Sequence, residues 1–106
     1  MILTTGPSVE GRPIVEYLDV LSAQEIMGIH IGKDITAGLR NIVGGRSKAY
    51  EGEVAKAVGE VMAELRAAAE RLGADAVVSI DLDYESVGNG GMLMVAASGT
   101  AVKLAP

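Results

Sequence analysis

The sequence predicts an α+β fold: an antiparallel sheet, made of a long first strand and a C-terminal hairpin, packed by one long helix that a short helix precedes. Three observations carry this β-α-β-β reading. Between Tyr50 and Leu72, apolar residues recur every three or four positions over about seven turns, the period of an amphipathic helix. From Ala76 onward two runs alternate at period two around Gly88-Asn89-Gly90-Gly91, the pattern of strands joined by a hairpin turn. The chain has 106 residues and no cysteine, which suits one core without disulfides, here a single domain over residues 1–106.

Ile2 to Thr5 is short and β-prone, and Gly6-Pro7 ends it. From Pro13 the run IVEYLDVLSAQEIMGIHI mixes apolar and polar side chains on both sets of alternate positions, so a long bent strand covered on both sides in places is expected. Ser22-Ala23-Gln24-Glu25 matches a capping box, but Gly28 follows within a turn and Ile29, His30 and Ile31 favour extended chain. A long bent strand, with room for an interruption near Ser22 to Glu25, is therefore preferred to a helix. Asp34 caps a short helix with Ile35, Leu39, Ile42 and Val43 on one stripe, and Gly44-Gly45 stops it.

Ser47 caps the long helix. Its apolar stripe is Tyr50, Val54, Ala57, Val58, Val61, Leu65, Ala68, Ala69 and Leu72, and Gly73 ends it in the left-handed conformation. The other face carries Glu53, Lys56, Glu60, Glu64, Arg66 and Glu70, a solvated surface on which Lys56 with Glu60 and Arg66 with Glu70 are spaced to pair. In AVVSIDLDYESV, Val78, Ile80, Leu82 and Tyr84 are expected on one face and Val77, Ser79, Asp81, Asp83 and Glu85 on the other. In MLMVAASGTAVKL, Met92, Met94, Ala96, Ser98, Thr100, Val102 and Leu104 share a face, and Gly99 marks a bulge or a close backbone approach.

Composition excludes several functions. Fourteen acidic against nine basic residues give a net charge of −5, the wrong sign for phosphate backbones. Three tyrosines, without tryptophan or phenylalanine, leave few platforms for base stacking, so no nucleic acid is expected as a partner. No apolar segment approaches the length of a membrane span, and no basic leader precedes an apolar run, so a cytoplasmic protein with no membrane partner is expected. Hydrophobic residues make up 49% of the chain and aromatics 3%. Such small side chains suit either an alanine-rich core or an aliphatic surface shared with another subunit.

The runs KDITAGLRNIVGGRSKAYE, LGADAVVSIDLDYE and GGMLMVAASGTAV resemble the YbjQ-like family of small uncharacterised bacterial proteins, sometimes labelled as heavy-metal-binding. The resemblance covers nearly the whole chain. It implies a compact α+β subunit that assembles into a ring of five. The chain departs from the family pattern at Lys33, where arginine is usual, and at Asp19 and Ala23, where glycine is frequent. Lysine keeps the charge of arginine but loses its planar fork.

Candidate sites are few. The start of the long helix gathers Lys33, Arg40, Asn41, Gly44, Gly45, Arg46 and Ser47, where free amides and cations suit a phosphate or carboxylate. An anionic small molecule is the ligand such a corner would take, and pairing of Arg40 and Arg46 with Asp34 or Glu51 is the structural alternative. Asp81, Asp83 and Glu85 lie about 7 Å apart in succession on one strand face and are weak candidates for a hard cation. A tight transition-metal site is not expected with His30 as the one imidazole and no thiol. Tyr84, Asp83 and Glu85 offer acid and base groups but no triad, and neither a Walker spacing nor G-x-G-x-x-G after a strand is present, so no catalytic residue and no cofactor is expected. The sequence thus reads as a non-enzymatic, ring-forming homo-oligomer with a binding or structural role; a metal-handling protein and an enzyme with a site between subunits are the alternatives.

Overall fold

A computed structural model of the chain describes residues 1–28, 48–87 and 92–106. Four strands, β1 (Ile2–Leu3), β2 (Ile14–Gly28), β3 (Ala76–Val87) and β4 (Met92–Leu104), form one sheet in the order β1-β3-β4-β2. The helix α1 (Lys48–Arg71) lies across β2 and β4 on one side of it. The α+β class, the long first strand and the paired last two strands follow the sequence reading. The predicted short helix, the Gly44-Gly45 corner, the Ser47 cap and the 88–91 turn lie outside the described residues.

The sheet is mixed, not wholly antiparallel. β4 runs antiparallel to both β2 and β3, whereas β1 runs parallel to β3. Ile2 N–H donates to Asp75 O at 3.3 Å, Thr4 N–H to Val77 O and Ile80 N–H to Thr4 O, both at 3.0 Å, the slanted ladder of a parallel pair. Side-chain alternation assigns the faces of a short strand but carries no information about the direction of its neighbour. β1 was accordingly visible as β-prone and left out of the predicted sheet.

α1 owes its place to one stripe: Ala57, Val61, Leu65 and Ala69, four residues apart, are buried, with Val54, Val58, Met62 and Ala68 partly buried beside them. Leu21, Ala23 and Met27 of β2 and Leu93, Val95, Ala97 and Ala101 of β4 meet that stripe from the sheet. Gly73 adopts φ +74°, as its place after the last helical residues predicts. Ala74 N–H bonds back to Ala69 O and Gly73 N–H to Glu70 O, both at 3.0 Å, which is a Schellman ending. The Lys103 ammonium donates to Gly73 O at 2.9 Å, placing a cation at the negative end of the helix. Among the described residues the ion pair within 4 Å is Lys103–Asp75, at 3.8 Å. The expected Lys56–Glu60 and Arg66–Glu70 pairs are not among the ion pairs within 4 Å; surface pairs of this kind gain little by holding one geometry.

β2 is continuous through Ser22 to Glu25, the long strand preferred there over a helix, with none of the interruption that the capping-box residues left room for. Its irregularities come earlier: the pairing with β4 shifts between Ile14 and Glu16 and again between Tyr17 and Asp19, so Val15 and Leu18 are extra residues on that edge. From Val20, opposite Thr100, to Gly28, opposite Met92, the ladder is regular.

The phase expected for β3 holds only from Ile80 onward. Val78 pairs with Thr100 and Asp81 with Ser98, so Ser79 and Ile80 together oppose Gly99. Ser79 has φ +54°, a left-handed residue that takes the bulge. Ser79 N–H donates to Gly6 O at 2.8 Å. As a result Val77, Ile80 and Leu82 pack toward α1, while Ala76 and Val78 join Val102, Leu104, Ile2, Val9 and Ile14 in a smaller core on the opposite side. Val78 and Ile80 were expected to share a face, and the extra residue separates them. At Gly99 the strands approach closely, as its position in a strand interior suggests: a Cβ there would lie 2.6 Å from Val77 Cγ1 and 3.0 Å from Ile80 Cγ1.

Candidate functional site

On the side away from α1, the smaller core covers one end of the sheet, and beyond it cross-strand rows stand open among the described residues. Ser22, Ser98 and Asp81 form one row, Gln24, Ala96 and Asp83 the next, then Ile26, Met94 and Glu85, with Met92 opposite Gly28 at the far end. A cavity of about 440 Å³ is lined by Ser22, Gln24, Asp83, Ala96 and Ser98 of these rows together with Ala23, Ala97 and Glu64 from the helix-facing side, and the open face beside it has two unlike flanks. One flank is acidic. The other is apolar, with Val20 74% and Ile26 56% exposed.

The three carboxylates named from the sequence thus share a face, as period two requires. The pKa of Asp83 is raised above the ordinary aspartate value by a hydrogen bond with Asp81, by the charge of Asp81, by partial burial and by the charge of Glu85. Asp81 and Asp83 thus form a pair short of neighbouring positive charge. Tyr84, considered with Asp83 and Glu85 as an acid–base set, lies on the other face of β3 opposite Val95, so the fold does not bring the three together. The corner residues Lys33, Arg40, Asn41, Gly44, Gly45, Arg46 and Ser47, and also His30, lie outside the described residues.

A second carboxyl cluster was not legible in the sequence. Glu25 sits between Ala23 and Met27 on the helix-facing side of β2, opposite Val95. Its pKa is raised from the usual 4.5 by a hydrogen bond with Glu60, then by partial burial and the charges of Glu60 and Glu64, while Lys56 opposes the shift. Glu60 and Glu64 read as solvated helix residues, and only the crossing of α1 over β2 sets them against Glu25. A raised carboxyl pKa means that the fold takes up the proton more readily than the unfolded chain. The associated stability is fully present below about pH 4.5 and is lost as pH rises through the folded value. Glu25→Gln should therefore raise the melting temperature at pH 7, with the difference from the parent chain shrinking as pH is lowered toward 4. Thermal melts across that range check it, and a constant difference would contradict the assignment.

A third cluster ties the other end of the molecule. Leu104 N–H donates to Asp75 Oδ2 at 2.8 Å, and this bond, followed by the charges of Lys103, Arg12 and the α-amino group, holds the Asp75 pKa below the usual range against the effect of burial. Arg12 Nε–H donates to Ala105 O at 3.1 Å. Arg12 and Arg66 line a cleft there with Met1, Glu70 and Asp75.

The family model described as "Putative heavy-metal-binding" matches residues 1–105. This chain belongs to the YbjQ family. A crystal structure of a DUF74-family protein of unknown function from Pediococcus pentosaceus, the same family, superposes with a TM-score of 0.69 over 98% of this chain and 97% of that one. At 21% identity that likeness speaks for the shared fold alone. Among the described residues no group of three or more His, Cys, Asp or Glu side chains is placed to hold a metal ion. No helix of the described residues is long and apolar enough to cross a membrane.

Proposed function

We propose that the chain is the subunit of a five-membered homo-oligomeric ring with a binding or structural role and no catalytic one. The observation that carries this reading is the outer edge of β2, fifteen residues long and without a strand partner among the described residues. An unpaired edge of that length is a template for another chain unless something covers it. Its side chains support the same conclusion, since Val15, Tyr17, Val20 and Ile26 are exposed. Shape agrees: the Cα radius of gyration is 17.0 Å, against about 13 Å for a compact domain of this length. A sheet whose two edges differ makes head-to-tail contacts, and such contacts close into rings when the rotation permits. Tyr84 lies on the other face of β3 from Asp81 and Asp83, so the acid–base set considered from the sequence is not assembled there.

Native mass spectrometry of the full chain tests the assembly, with a pentamer expected. A second arm uses Ile26→Asp, which leaves the core untouched because Ile26 is exposed, and which should shift the protein toward monomer while its circular dichroism is retained. A parent chain that is monomeric at micromolar concentration overturns the proposal.

A further inference from the structure

The YbjQ description names heavy metals, and the distribution of soft donors over this fold runs against it. Heavy-metal ions prefer thiolate, thioether and imidazole ligands, and closed sites of the zinc type use four. The sequence contains no cysteine, one histidine and five methionines, so thioethers are the donors that would have to supply the site. The fold separates them. Met27 is buried and Met62 partly buried between the sheet and α1, where they fill the core. Met1 lies at the opposite end, beside Arg12 and Asp75. Met92 and Met94 are left on the open face, where their cross-strand neighbours include Gly28, Ile26 and Glu85, adding one hard oxygen and no soft donor. The carboxylates beyond them on β3 are hard ligands too. Assembly into a ring multiplies the single His30 but introduces no new donor type.

We infer that heavy-metal binding does not extend to this member of the family, whose subunit has no thiolate and divides its thioethers between opposite faces of the sheet. The inference stands apart from the assembly reading. A monomer that holds no metal would end that reading and leave this one intact.

The test uses the full chain, purified without chelator or metal-affinity resin and incubated separately with excess Cd²⁺, Zn²⁺ and Cu⁺. After desalting, the metal-to-subunit ratio is measured by plasma mass spectrometry and the oligomer by native mass spectrometry. The expected result is retention of less than one ion per assembly for each metal. Retention of one ion per subunit or one per assembly overturns the inference. Loss of that retention in His30→Ala, or in Met92→Leu/Met94→Leu, would identify the donors, and retention in both variants would overturn it equally by locating the ion elsewhere.

Discussion

Leu65→Ala should lower the free energy of unfolding by about 2–5 kcal/mol, the range for truncating a large buried side chain whose surroundings relax only in part. Leu65 is 1% exposed, among the largest fully buried side chains, and lies midway along the stripe that α1 presents to β2 and β4. The core cluster that holds it is rich in alanine, with Ala23, Ala57, Ala69, Ala97 and Ala101 among its members, and such short side chains cannot reach across to fill a cavity. Arg66, the following residue, is exposed, so Arg66→Ala at the same protein concentration serves as the control for helix propensity. Holding concentration fixed matters because association stabilises a folded subunit by mass action. A loss below about 1 kcal/mol in denaturant titration would mean that α1 is not clamped to the sheet at this point.

Gly99→Ala should cost about 1–3 kcal/mol through overpacking. The sign is what makes the test sharp, since replacing glycine inside an ordinary strand favours the fold by roughly 0.5–1 kcal/mol. Here the added methyl would lie 2.6 Å from Val77 Cγ1, 3.0 Å from Ile80 Cγ1 and 3.3 Å from Val78 O. Valine and isoleucine are stiff at χ1, so neither neighbour can turn away cheaply. Adding Val77→Ala should recover part of the loss, and the double-mutant cycle should show a favourable coupling between the two substitutions. Gly99→Ala melting at or above the parent temperature would remove the close approach from the account.

These two positions mark how far the sequence could be read. Leu65 was legible because helical periodicity is a repeated signal: nine positions agree on where the stripe runs, and Gly73 announces its end. The bulge at Ser79 was not, since it depends on one residue in β3 yielding to a glycine twenty positions on in β4, and alternation gives no warning of it. Gly99 itself did stand out in a strand interior. The direction of β1 was likewise invisible, because Ile2 and Leu3 are too few to carry a pattern. The acidic row Asp81, Asp83 and Glu85 was read correctly from spacing alone, since it lies wholly on one side of the bulge. Glu25 with Glu60 could not be anticipated, because a strand residue and a helix residue meet only through the crossing of their elements. The corner from Lys33 to Ser47 lies outside the described residues, and its reading rests on its sequence.

The bulge at Ser79 also guards the chain against a folding error. If β3 were to pair with β4 without it, every residue beyond Val78 would slip by one place. Ile80 and Leu82 would be lifted into water, and Asp81, Asp83 and Glu85 would be driven beneath α1, against Val61 and Leu65. Backbone hydrogen bonding is nearly indifferent to such a slip, but three carboxylates in an aliphatic layer are not tolerated without partners. The row of acids on the open face therefore acts as ballast that rights the strand, a purpose it fulfils whether or not anything ever binds there.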